Sequence, residues 1–191
     1  MVQFFVKGLD DRELTTDGGF ELTIGENNRA FILEDEIDDT VSYAYKDSGY
    51  LGGSVEFDAN LVDVGCGCAA SVYATFLDDV DCNWNPTGTN MYPKCSNIDL
   101  MQANKMGFNT NSKPCPAGGS CAVQPVCVAR ATDISNAYGS GSSYKINTES
   151  EFHVRTEFWT KAELVSNVNT YTELYQIKTI LTQDSNTVEL V

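Results

Sequence analysis

The stretch CSNIDLMQAN, residues 95–104, places three polar side chains at the spacing of a bulged β-strand. Side chains alternate along a strand, so Asn97 and Asp99 share one face, whereas Gln102 would point to the other face of a regular strand. A β-bulge adds one residue and returns position 102 to the face of positions 97 and 99. The spacing therefore predicts a strand that presents two amides and one carboxyl side by side.

The sequence around this stretch is typical of an all-β protein. Short segments rich in Val, Ile, Thr, Phe and Tyr are separated by Gly, Asn and Asp turn residues, and no long stretch has the 3.6-residue period of a helix. The predicted strands are 2–7, 20–24, 29–33, 54–62, 69–77, 96–102, 151–160 and 170–180. We expect a single domain over 1–191, built as an antiparallel sandwich.

Two of these strands alternate clearly between apolar and polar residues. The apolar faces are Val55, Phe57, Ala59 and Leu61 in the first strand and Phe152, Val154, Thr156 and Phe158 in the second. These positions are predicted to face the core. His153 lies on the polar face of its strand with no serine or cysteine motif nearby, so a surface histidine is expected.

Composition excludes several classes of function. The chain carries 27 acidic and 12 basic residues, a net charge of −15, which disfavours a nucleic-acid partner because phosphate binding needs a basic surface. No apolar run is long enough to span a bilayer, so membrane insertion is not expected. No signal-peptide pattern is present either, and the chain is interpreted as a mature or truncated form.

The seven cysteines indicate disulfides in an oxidising compartment, and therefore a secreted, extracellular protein. They are Cys66, Cys68, Cys82, Cys95, Cys115, Cys121 and Cys127. Their spacing is not that of a zinc site, and the odd number leaves one thiol free or bound to another chain. Residues 81–127 are rich in Cys, Pro, Asn, Gly and Ser, which predicts a disulfide-rich loop insert with one strand, 96–102, inside it.

Acidic clusters offer an alternative role in cation binding. Residues 34–39 hold five acids in six positions, and Asp78, Asp79 and Asp81 form a second cluster. Ca²⁺ takes such oxygen ligands, but the loop signature of an EF-hand is missing from both. Solvated turns are the simpler interpretation, so we expect no metal and no other cofactor, with calcium as the alternative.

The chain resembles glycoside hydrolase family 7, whose catalytic strand reads C-S-E-x-D-I-W-E-A-N. The matching residues are Cys95, Ser96, Asp99, Ala103 and Asn104, and the segments 17–33, 52–77, 112–115, 138–160 and 172–177 resemble family segments in the same order. The resemblance implies a concanavalin-like jelly-roll β-sandwich. It also implies that one cysteine of the Cys66-Gly67-Cys68 turn has lost its family partner, so it pairs locally or with another chain.

The departures from the family pattern concern the chemistry. The nucleophile glutamate falls on Asn97 and the acid/base glutamate on Gln102, and only the central Asp99 remains. A retaining glycosidase needs two carboxyl groups, and an amide neither ionises nor supplies a proton. The family enzymes are also longer, so this chain is interpreted as a shortened relative that lacks late strands.

Three hypotheses for function follow. The first is an inactive extracellular structural protein that self-assembles into a filament or surface layer, through open sheet edges or the odd cysteine. The second is a lectin-like module that binds β-glucan or another glycan, and the third is a glucan hydrolase with rearranged catalytic residues. Candidate glycan contacts are Asp99, Asn104, Trp84 and Tyr92, and further aromatic platforms are Tyr43, Tyr45, Tyr50 and Trp159.

Overall fold

The computed structural model describes residues 5–8, 14–16, 20–22, 30–33, 50–75, 96–113, 127–165 and 168–191. It divides into two compact units, Met1–Gly49 and Tyr50–Val191. In the first unit, strand β1 (Phe5–Gly8) pairs with β4 (Ala30–Leu33), and β2 (Leu14–Thr16) pairs with β3 (Phe20–Leu22), both antiparallel. The prediction of a single domain stays a prediction.

The second unit contains two four-stranded antiparallel sheets. One has the strand order β14-β13-β12-β5 and the other the order β6-β7-β8-β9. The first sheet consists of β5 (Ser54–Ala59), β12 (Phe152–Val165), β13 (Val168–Gln183) and β14 (Asn186–Leu190). The second consists of β6 (Ala70–Thr75), β7 (Asn97–Asn104), β8 (Gly107–Lys113) and β9 (Cys127–Arg130). A short parallel pair, β10 (Tyr138–Gly139) with β11 (Ile146–Asn147), and a single 3-10 turn, Ala131–Asp133, complete the described elements.

Apolar side chains from both sheets form one core. Ala59 and Val154 from the first sheet join Met101 and Phe108 from the second in a single buried cluster. The rings of Phe108, Tyr138 and Phe152 contact one another at its centre, with centroid separations of 5.7 to 6.4 Å. The alternation predicted for 54–62 and 151–160 is confirmed, because the apolar face of each strand is the buried one. The two sheets therefore pack as a sandwich.

Three features of the strands differ from the predictions. The segments 151–160 and 170–180 extend into a long hairpin, β12–β13, in which only residues 166–167 separate the strands. Poor strand formers such as Lys161 and Glu163 hid this extension, because cross-strand pairing rather than local propensity stabilises it. The insert also contains β8 and the start of β9 besides the predicted strand. Strands β2, β10, β11 and β14 were not predicted either.

Strand β8 was missed because its sequence, GFNTNSK, is rich in asparagine, which is depleted in strands. The structure nevertheless gives it a regular alternation. Phe108 and Thr110 are buried on the core side, and Asn109 and Asn111 lie on the opposite face. Two asparagines thus stand beside the polar positions of β7.

Candidate functional site

Strand β7 contains the predicted bulge, between Asp99 and Gln102. Asn97 pairs with Lys113, Asp99 with Asn111, and Gln102 with Asn109. Asn109 and Asn111 are two residues apart on β8, so their side chains share one face with those of their partners Gln102 and Asp99, and Asn97, two residues before Asp99, lies on the same face. Met101 and Ala103 point the other way, into the core. We call the surface formed by Asn97, Asp99, Gln102, Asn109 and Asn111 the amide face.

The carboxylate of Asp99 is held between two amides. Asn97 Nδ2 donates a hydrogen bond of 2.9 Å to Asp99 Oδ1, and Asn111 Nδ2 donates one of 2.9 Å to Asp99 Oδ2. The three side chains are only 6 to 7% exposed. Thr110 Oγ1 also donates to the backbone carbonyl of Asp99 at 2.7 Å, which fixes the bulge itself. These contacts form a buried polar cluster that joins β7 to β8.

One atom of this cluster has no partner. Asn111 Nδ2 donates to Asn109 Oδ1 at 3.2 Å as well as to Asp99, but Asn111 Oδ1 is buried without a hydrogen bond, the one such side-chain atom among the described residues. An unsatisfied buried acceptor costs about 1–3 kcal/mol. A donor such as a water molecule or a hydroxyl group would remove that cost.

A shallow groove lies at the end of the amide face that contains Gln102 and Asn109. Gln102 and Arg130 are exposed and Asn109 is half-buried there, and the groove has a volume of about 230 Å³. Its lining is completed by Thr132, Asn104, Gly107, Phe108, Ala103 and Ala69. Amide groups donate and accept hydrogen bonds and the guanidinium group only donates them, and neither kind of group transfers protons at neutral pH.

Asn104, a predicted glycan contact, has a structural role in the β7–β8 turn. Its Oδ1 accepts hydrogen bonds from the backbone N–H groups of Met106 at 2.8 Å and Gly107 at 3.0 Å. Its Nδ2 donates to the carbonyl of Cys68 at 3.1 Å, and its own carbonyl accepts from Tyr138 Oη at 2.9 Å. Both side-chain polar atoms of Asn104 are thus engaged by backbone groups of the protein itself.

The amide face carries a single carboxylate within the described strands. Outward positions on β6, β8 and β9 hold Ser71, Tyr73, Asn109, Asn111, Val128 and Arg130, none of them acidic. A retaining glycosidase needs two carboxyl groups about 5–5.5 Å apart. Asp99 has no second carboxyl on these strands, so the described part of the face lacks the two-carboxylate arrangement.

The remaining predicted sites divide between surface positions and residues outside the described ranges. Cys66, Cys68 and Cys127 are exposed free thiols in the structure, and the disulfide pairing expected for the seven cysteines stays a prediction. Cys66 and Cys68 flank Gly67 in one turn, and their separation by a single residue disfavours a bridge between them. The other members of the predicted set lie outside the described residues: Cys82, Cys95, Cys115, Cys121, Trp84, Tyr92, Tyr43, Tyr45 and the acidic clusters.

His153 lies at the surface, as predicted, on the outer side of the other sheet. Its Nδ1 is 2.8 Å from Asp58 Oδ1 and its Nε2 is 3.6 Å from Glu56 Oε2. Across the described part of the chain, no group of three metal-binding side chains comes together. The histidine therefore belongs to a cross-strand network between β5 and β12, and sequence spacing gave no sign of its partners.

Comparison with known proteins supports the fold. No protein-family model and no curated protein matches this chain. Solved structures do: glycosynthase mutants of Humicola insolens Cel7B give a TM-score of 0.56 at 18% identity over 75% of this chain and 44% of theirs. An endoglucanase I complexed with cellobiose gives 0.56 at 17% identity, over 76% of this chain and 45% of that one. A family 7 cellobiohydrolase from Daphnia pulex gives 0.53 at 16% identity, over 73% and 44%.

The chain therefore has a fold similar to that of family 7 cellulases, a β-jelly-roll sandwich, and it spans less than half the length of these enzymes. The fold expected from the resemblance is confirmed. Sequence identities below 20% support a similar fold only, and the chemistry of the site depends on its own side chains.

Proposed function

We propose that the protein is a non-hydrolytic relative of the family 7 glycosidases that serves as an extracellular structural, self-assembling protein. The observation that supports this most directly is the buried Asn97–Asp99–Asn111 cluster. Where a glycosidase needs groups that exchange protons with a substrate, this strand has amides, and its carboxylate is bound by amides. The cluster links β7 to β8 through side-chain hydrogen bonds.

The chemistry that is lost explains why hydrolysis is not expected. Asn97 cannot form the glycosyl ester that a nucleophilic carboxylate forms, and Gln102 cannot protonate a leaving group. Loss of general acid/base assistance alone typically lowers a rate by about 10²–10⁴-fold, and loss of the nucleophile adds to that. Asp99 cannot compensate by itself, because both its oxygens accept hydrogen bonds inside a buried cluster.

Self-assembly is supported by backbone edges of β12 and β13 that have no partner strand among the described residues. In the described part of the chain, Trp159–Val165 of β12 and Val168–Lys178 of β13 pair only with each other, beyond the reach of β5 and β14. Open strand edges carry unpaired backbone N–H and C=O groups that pair with other chains. Exposed thiols at Cys66, Cys68 and Cys127 offer covalent links between chains in an oxidising extracellular setting.

Light scattering and a hydrolysis assay test this proposal together. We expect purified protein to form oligomers and to release no reducing sugar from soluble β-1,4-glucan. Leu174→Asp with Tyr175→Asp places charges at exposed positions of the β13 extension and should shift the oligomer toward monomer, whereas Ser150→Asp, in an exposed turn, should not. A compact monomer of the unmodified protein would contradict assembly. Sugar release that disappears in Asp99→Ala would contradict the loss of catalysis.

A second candidate function, glycan binding, is favoured by the open groove on the amide face. Gln102 and Arg130 are exposed in it, and hydroxyl groups of a sugar pair readily with amides and guanidinium groups. Gln102→Ala and Arg130→Ala should each weaken binding on a glycan array, and Asp133→Ala, exposed beside the groove, serves as the matched control. If no immobilised glycan retains the protein, this candidate is eliminated.

A further inference from the structure

The outer side of the β14-β13-β12-β5 sheet presents an exposed tryptophan. Trp159 is 50% exposed, while its neighbour Phe158 is buried on the core side. The indole Nε1 donates a hydrogen bond of 2.8 Å to Glu157 Oε2. We call the surface formed by Arg155, Glu157, Trp159 and Gln176 the indole face.

Trp159 is held in place and remains half exposed. Along β12, the pairing with β5 ends at Glu157, and the chain beside Phe158 and Trp159 is Gly52-Gly53, which has no side chains. On the other side, Trp159 pairs with Gln176 of β13. A hydrogen bond at one edge and glycines at the flank leave an oriented aromatic surface open to solvent. An indole fixed in this way loses little conformational entropy when a ligand stacks on it.

The charges around the indole restrict its ligand. Arg155 contacts both Glu56 and Glu157 at 2.9 Å, and Lys178 contacts Glu189 at 2.9 Å. Arg155 and Lys178 are thus already paired, and Asp58 adds another carboxylate to the same face. Lys161, exposed two residues beyond Trp159 on β12, has no ion pair among the described residues. The carboxylates of this face still outnumber these three cations, and the chain carries a net charge of −15, so an acidic polymer is disfavoured and a second copy of the indole face would bring like charges together.

A neutral, hydroxyl-rich ligand fits these conditions. Pyranose rings have apolar C–H faces that pack on aromatic side chains, and their hydroxyls hydrogen-bond to amides, carboxylates and guanidinium groups. We propose that the indole face binds a neutral polysaccharide, with one pyranose ring stacked on Trp159 and its hydroxyls contacting Gln176, Glu157 and Arg155. This site lies on the opposite sheet from the amide-face groove, and it does not depend on binding there.

Binding to insoluble neutral polysaccharides tests the proposal. Cellulose, xylan and mannan are each incubated with the purified chain, and the bound fraction is measured against protein concentration. We expect retention by at least one of them and a loss of tenfold or more in affinity for Trp159→Ala. Trp159→Phe keeps a ring but not the hydrogen bond and should lose less. Met106→Ala, an equally exposed apolar side chain in the β7–β8 turn, should bind normally.

A fluorescence readout separates stacking from a general loss of structure. In a Trp84→Phe background, Trp159 is the single tryptophan, and its emission should change on addition of soluble oligosaccharide from the retained polymer. Binding lost in Arg130→Ala but kept in Trp159→Ala would overturn the proposal and favour the groove. Retention by none of the polymers would also overturn it, as would oligomers that dissociate in Trp159→Ala without any glycan.

Discussion

Replacing Asp99 by alanine tests whether this residue stabilises the fold or is kept for a function. The change removes the acceptor of two hydrogen bonds, each 2.9 Å long, and leaves the amides of Asn97 and Asn111 in a site that is 6 to 7% exposed. Gln102 occupies the same face but is exposed. Gln102→Ala is therefore the matched control, on the same strand and two positions beyond the bulge.

The magnitude follows from the number of bonds. A hydrogen bond to a charged group is worth about 1.5–3 kcal/mol, so two of them give a loss of about 3–6 kcal/mol in the free energy of unfolding for Asp99→Ala. Asp99→Asn keeps the shape and one acceptor oxygen, and should cost about half as much. Gln102→Ala should stay within about 0.5 kcal/mol of the unmodified protein.

Urea unfolding followed by far-UV circular dichroism measures these differences. With a slope of about 2 kcal/mol per molar urea, the midpoint of Asp99→Ala should fall by about 1.5–3 M. If Asp99→Ala does not fold, Asp99→Asn gives the same comparison at smaller size. An unchanged or higher midpoint for either Asp99 variant would refute the reasoning. It would indicate a carboxylate kept for function at the expense of stability, as active-site residues often are.

Three further predictions concern other parts of the second unit. A Cβ at position 139 would lie 2.7 Å from Tyr144 Cζ, so Gly139→Ala should lower the free energy of unfolding by about 1–3 kcal/mol. Gly65→Ala is the control and should leave it unchanged, because a Cβ there has no atom within 4 Å. Equal urea midpoints for the two variants would contradict this. The pKa of Glu157 lies below its usual value, chiefly because Trp159 donates a hydrogen bond to it and then because Arg155 is near. Ionised Glu157 therefore stabilises the fold above about pH 4.3, and this stabilisation is lost as the pH falls through the folded pKa. Glu157→Gln should flatten the acid limb of the stability-versus-pH curve. Identical acid limbs for the variant and the unmodified protein would count against this prediction. Burial raises the pKa of Tyr138, so the folded unit should lose stability as the pH rises above about 10. Tyr138→Phe should reduce that loss, and it should cost about 1 kcal/mol at pH 7 because it removes the hydrogen bond to the Asn104 carbonyl. An unchanged alkaline limb of the stability-versus-pH curve, measured by urea unfolding, would disprove this.

The sequence by itself determined the features that depend on neighbouring residues. Alternation in 54–62 and 151–160 identified the core faces, because side chains on a strand point in opposite directions at each step. The spacing of Asn97, Asp99 and Gln102 predicted the bulge that the structure contains in this strand. All of this needs only residue type and local geometry.

The tertiary structure decided the features that depend on register between strands. Asn111 closes the cluster around Asp99 from twelve residues away, in a strand whose asparagines gave no strand signal. Asn104 proved to be a turn residue, and Trp159 stays open because two glycines and not larger residues lie beside it. Partners across strands are set by non-local pairing, and a shift of one residue would exchange the two faces, so no local pattern could specify them.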